Sequence, residues 1–128
     1  MSFDKKMLFE AAQVAIKSCD LRTDKRNYLL GAIGVRNDGV IVKSKNIAAT
    51  DCVPDHHAEA RLSRKLTPKS TVWVARVTRK NGSWAMARPC RNCENKLRAI
   101  GVKRIVYTIS PGEWGVIDII ENNEWRRL

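Results

Sequence analysis

The chain has 128 residues, enough for one hydrophobic core and short for two, so a single domain over residues 1–128 is expected. Apolar residues make up 44% and charged residues 29%, which excludes a disordered tail, and no uncharged apolar run approaches the ~18 residues of a membrane helix. Lysine and arginine total 24 against 13 acidic residues; the net charge of +11 suits a phosphate-bearing partner but says nothing about reaction chemistry.

Met1 to Lys6 leads into a charged amphipathic segment without the long apolar stretch of an export signal, so a soluble, cytoplasmic protein with no membrane partner is expected. Leu8, Ala11, Ala12, Ala15, Ile16 and Cys19 recur at helical spacing, predicting an amphipathic helix over residues 3–19. Cys19 reads as a small core hydrophobe. Asp20 to Asn27 is polar and reads as a loop. Tyr28 to Val35 is apolar and β-prone, Asn37-Asp38-Gly39 is a turn signal and Val40-Ile41-Val42 follows, which together predict a β-hairpin.

Lys43 to Asp55 lacks a period and reads as a loop leading to a second helix from about His56 to Leu66, ended by Thr67-Pro68. Thr71 to Val77 predicts a strand, which Asn81-Gly82 turns toward a partner over Ser83–Met86. A third helix is expected from Pro89 to Gly101, with Cys93, Leu97 and Ile100 on one face and Gly101 as its stop. Arg104 to Thr108 predicts a further strand. After Pro111-Gly112, the tail with Trp114, Ile117, Ile119, Ile120 and Trp125 reads as a short helix or an extended packing segment. Strands and helices interleaved around one sheet imply an α/β sandwich.

Two short motifs carry the chemistry. His57-Ala58-Glu59 opens the predicted second helix, and Pro89-Cys90-Arg91-Asn92-Cys93 opens the third. Positions i and i+3 of a helix share a face, so Cys90 and Cys93 can offer two sulfurs to one ion, and a helix N-terminus favours their negative charge. With His57 they make three protein ligands, which leaves the fourth tetrahedral position of zinc for water, the arrangement of a catalytic site. Such a site needs a carboxylate outside the ligand set to move protons, and Glu59 stands two residues from His57. A purely structural zinc would need a fourth ligand, for which Cys52 or His56 are the candidates. His56 otherwise reads as a surface or substrate-facing residue.

The order H-x-E…P-C-x-x-C is the signature of zinc-dependent base deaminases. On these residues the chain resembles the cytidine and deoxycytidylate deaminase superfamily, over roughly residues 1–110. The resemblance implies a three-layer α/β/α sandwich of the cytidine deaminase type with a central mixed sheet of about five strands. It also implies hydrolytic deamination by a zinc-activated water, with Zn2+ as cofactor, His57, Cys90 and Cys93 as ligands and Glu59 as the catalytic proton shuttle. By the same resemblance the backbone N–H groups of Ala58 and Cys90 hold the base and the reacting oxygen, Asn46 contacts the substrate sugar, and a homo-oligomer is expected.

The motif defines the reaction better than the substrate. Arg91-Asn92 stands where typical nucleoside deaminases have Gly-Ala. Arg88 and Arg91 flank the cysteine motif, with Lys43, Lys45 and Arg61 near the other half; these meet a substrate phosphate or else solvate the surface. Trp84 and Trp114 either stack on a base or pack in a core. The expected substrate is a free cytosine nucleotide or nucleoside such as dCMP, CMP or (deoxy)cytidine. The alternatives are a deaminase of cytosine or adenine in single-stranded DNA or RNA, which the charge supports, and a zinc-stabilised nucleic-acid-binding module without catalysis, which would have no use for Glu59.

Overall fold

A computed structural model of the chain describes residues 2–17, 28–45, 62 and 65–119. Within them the order is α1 (Phe3–Lys17), β1 (Tyr28–Val35), β2 (Ile41–Lys45), β3 (Thr71–Thr78), β4 (Trp84–Ala85), α2 (Arg91–Ile100), β5 (Arg104–Ser110) and β6 (Glu113–Asp118). The helix expected over 56–66 falls mostly outside the described residues. Its described positions are Leu62, helical and fully buried, and Lys65–Leu66, where the chain has already left the helix.

One mixed sheet carries six strands in the order β2-β1-β3-β5-β6, with β4 paired to β3 off that path. The pairs are antiparallel except β3 with β5, which run parallel because the β4 and α2 segment crosses between them. About five strands were expected, and the additional one is β6. The tail after Pro111-Gly112 is therefore a strand where it is described, turned back on β5 through Gly112 at φ 79°. Lys43 to Lys45, expected to start a loop, extend β2 instead, as their pairing with Gly31, Ala32 and Ile33 requires.

Side chains alternate between two cores, as strand geometry dictates. Leu29, Ile33, Trp73, Ala75, Val77 and Val106 meet Leu8, Ala11, Ala12 and Ala15 of α1. On the opposite face Ala32, Val72, Val74, Ile105 and Tyr107 meet Leu97 of α2 together with Leu62. Helices thus cover both faces of the sheet, the three-layer α/β/α arrangement. No described helix is long and apolar enough to cross a membrane.

Two contacts set α1 on the sheet. At Gly31 the helix backbone comes so close that a Cβ would stand 2.3 Å from the Ala11 carbonyl oxygen and 2.8 Å from the Ala15 nitrogen. At its N-terminal end Asp4 receives both Arg104 nitrogens, at 2.9 and 2.7 Å, and the Trp73 indole N–H at 3.0 Å. Partial burial opposes ionisation of Asp4, but these donors and the Arg104 charge outweigh it and hold the carboxyl below its ordinary range.

Candidate active site at the start of helix α2

Cys90 is the N-cap of α2, with extended backbone at φ −64° and ψ 162°. Its sulfur accepts the Cys93 N–H at 3.5 Å, and its carbonyl takes the first helical bond from the Glu94 N–H at 2.9 Å. The helix therefore begins at Arg91 and not at Pro89: the sulfur takes the part that a serine or aspartate oxygen plays in ordinary capping, and Pro89 stays outside the helical turn. Cys90 is exposed and Cys93 fully buried, so the first turn presents one thiol at the surface and one beneath it. At the other end, Gly101 in left-handed geometry (φ 96°) donates to Arg98 and closes the helix as expected.

The position of Cys90 follows from a hydroxyl in the neighbouring strand. Thr71 to Val74 of β3 lie beside β5, but at Arg76 β4 takes over as the neighbour of β3. Thr108 of β5 sits at this divergence, fully buried. Its Oγ1 accepts the Arg76 N–H at 3.1 Å and donates to the Ala85 carbonyl at 2.7 Å, while its carbonyl takes the Ala87 N–H at 2.9 Å. One threonine thereby pins two points of the segment that delivers Cys90, three residues after Ala87. The available sequence signal was a threonine within the otherwise apolar and aromatic stretch 105–109.

Arg88, before the motif, is more than half exposed; its guanidinium lies 3.8 Å from Glu94 and 5.9 Å from the centre of the Tyr107 ring. Glu94 is held by Arg98 at 3.0 Å. Arg91 opens α2 and is exposed. Trp84 is placed elsewhere. Its pairing with Val77 puts it in the α1-side core, 7% exposed and packed on Phe9 with ring centres 5.1 Å apart, so it offers no free face for stacking on a base. Trp114 packs against the same core. His57, Ala58, Glu59 and Asn46 lie outside the described residues, as do Cys19, Cys52, His56 and Arg61.

Among the described residues no three His, Cys, Asp or Glu side chains gather as a metal site. Cys90 and Cys93, the described members of the expected ligand set, suit zinc, a borderline-soft ion that takes thiolate donors: two thiols on one helical turn, at a helix N-terminus that favours negative charge. Also unforeseen was Arg76, the one charged residue of β3, whose guanidinium carbon lies 4.4 Å from the centre of the Tyr28 ring.

These features define a three-layer α/β domain with a thiol pair at the start of the helix that crosses from β3 to β5. The family model of the cytidine and deoxycytidylate deaminase zinc-binding region matches residues 2–109, and the chain belongs to that family. Solved structures agree in fold. Cytidine deaminase from Burkholderia pseudomallei superposes with a TM-score of 0.59 at 21% identity, covering 94% of this chain and 95% of that one. The Mycobacterium leprae cytidine deaminase gives 0.58 at 18% identity, covering 95% and 98%. The Mycobacterium tuberculosis enzyme gives 0.52 at 20% identity, covering 85% and 91%. No curated protein matches the chain.

Proposed function

We propose that the protein hydrolytically deaminates the cytosine of a free nucleotide or nucleoside. The observation that carries this reading is the Cys90 and Cys93 pair on the first turn of α2, in a chain of the deaminase family. His57, Cys90 and Cys93 would hold zinc. Bound there, zinc would lower the pKa of a water toward neutrality and so make a nucleophile available near neutral pH. Glu59 would take one proton from the attacking water and pass it to the ring nitrogen, then take the remaining proton of the added hydroxyl and pass it to the departing amine. A carbon–oxygen bond forms at the amine-bearing carbon, the carbon–nitrogen bond breaks, and ammonia and the uracil product leave. The Ala58 and Cys90 backbone N–H groups orient the base, and Asn46 the sugar.

The net charge of +11 supports a second reading, a base within single-stranded DNA or RNA. One panel separates the two. Ammonia release is measured with cytidine, deoxycytidine, CMP, dCMP, adenosine and single-stranded oligonucleotides. Turnover of free cytosine compounds above the oligonucleotides supports the first reading, turnover of oligonucleotides alone supports the second, and no ammonia from any of them removes both.

A further inference from the structure

The row of β3 side chains that faces α2 runs Val72, Val74, Arg76. The two valines are fully buried, whereas Arg76, next in the row, is exposed near the end of the strand. A guanidinium at an inward position of a central strand needs a companion, and here it is aromatic. Tyr28, itself 44% exposed, places its ring 4.4 Å from the Arg76 guanidinium carbon. This cation–π contact leaves the N–H donors of the guanidinium to other partners. No carboxylate among the described residues pairs with it.

Arg76 also belongs to the cysteine end of the sheet. Its register partner on β4 is Ala85, five residues before Cys90, so at ~3.5 Å per residue the connecting chain spans at most about 18 Å. Thr108 ties that chain back at Ala85 and Ala87, and the same Thr108 hydroxyl holds the Arg76 N–H. Strand pairing and the Thr108 hydroxyl hold the Arg76 backbone, and the Tyr28 ring lies against its guanidinium. A planar fork of donors, with no carboxylate partner among the described residues, matches phosphate oxygens.

We propose that Arg76, packed on the Tyr28 ring, binds the phosphate of a cytosine mononucleotide and so makes the enzyme a nucleotide deaminase. This rests on the deaminase reading above and names its substrate class. The Arg76 edge donates charge-assisted hydrogen bonds to the phosphate. Tyr28 contributes the stacking face, and its hydroxyl is not needed.

The test uses the full-length zinc-loaded protein. The ratio of kcat/KM for dCMP to that for deoxycytidine is measured for wild type, Arg76→Lys, Arg76→Ala and Tyr28→Phe, and dCMP and deoxycytidine binding are titrated calorimetrically in parallel. The wild type is expected to prefer dCMP. Arg76→Ala is expected to lower the ratio about tenfold or more, mainly through KM for dCMP, and Tyr28→Phe to keep it. Arg76→Lys, which keeps charge and stem but loses the fork, should also lower the ratio, and it decides the matter if the alanine variant does not fold. A ratio unchanged by Arg76→Lys, or a wild type indifferent to the phosphate, overturns the proposal. So does loss of turnover on oligonucleotides with the mononucleotide unaffected. If no substrate releases ammonia, the deaminase reading fails by itself, and the calorimetric preference for dCMP and its loss in the Arg76 variants still decide whether Arg76 binds phosphate.

Discussion

Asp4 and Arg104, 100 residues apart in sequence, meet in a two-pronged ion pair of 2.9 and 2.7 Å that fastens the first turn of α1 to β5. Because the folded state holds the Asp4 carboxyl below its ordinary 3.8, the pair stabilises the protein fully above that value and loses its contribution as pH falls through the folded pKa. Asp4→Asn removes the charge while retaining the shape. Its expected cost near pH 7 is about 1–2 kcal/mol, since both side chains are only partly buried. Denaturant unfolding of both proteins from pH 7 to pH 3 should show a gap that is flat above about pH 5 and narrows below pH 4. A gap independent of pH would mean that the carboxylate charge contributes nothing there.

At Gly31 the constraint is steric. A methyl group would fall 2.3 Å from a backbone oxygen of α1 and 2.8 Å from a backbone nitrogen, and neither atom can rotate away as a side chain would. Gly31→Ala should therefore lift the helix off the sheet and cost about 1–3 kcal/mol or more, in spite of the general tendency of alanine to stiffen the unfolded chain favourably. A variant as stable as wild type in urea would show that α1 packs less closely than described.

The helical stripe of Leu8, Ala11, Ala12 and Ala15 could be read in advance because a core-facing helix must repeat apolar residues near every 3.6 positions, whereas Ile16, read into the same stripe, is exposed, and Cys19 lies outside the described residues. Strand β6 could not. Gly115 in its middle looks like a loop residue, yet it lies opposite Tyr107 and makes room for that ring: a Cβ there would come within 2.5 Å of it. The glycine is a packing requirement set by a residue eight positions earlier. Trp84 shows the same limit, since the face a tryptophan takes depends on the register of its strand with β3 and not on its neighbours in sequence. Within the candidate site, Pro89-Cys90-x-x-Cys93 announces a helix start because capping is local. The tether through Thr108 is not local, for it joins residues 23 and 32 positions apart.

That tether can be tested with two substitutions. Thr108→Val keeps the volume but leaves the Arg76 N–H and the Ala85 carbonyl without their buried partner, at a cost of about 1–3 kcal/mol. If the hydroxyl also positions Cys90, the valine variant should bind zinc more weakly in a chelator competition, and Thr108→Ser should restore most of the affinity. Lower stability with unaltered zinc affinity would confine Thr108 to a structural part.

The roles assigned to Cys90, Cys93 and Glu59 differ in what each removal should leave behind. Wild-type protein should carry about one zinc per chain. Cys90→Ser or Cys93→Ser should abolish both zinc and ammonia release, since a ligand is lost. Glu59→Gln should retain the metal and lower kcat by about 10²–10⁴-fold, because only proton transfer is removed. Metal analysis beside the ammonia assay separates these cases. Turnover by the glutamine variant equal to wild type would remove Glu59 from the mechanism. A wild type that holds zinc yet deaminates nothing would instead make the metal a structural element, the one arrangement in which a carboxylate two residues from His57 has no proton to carry.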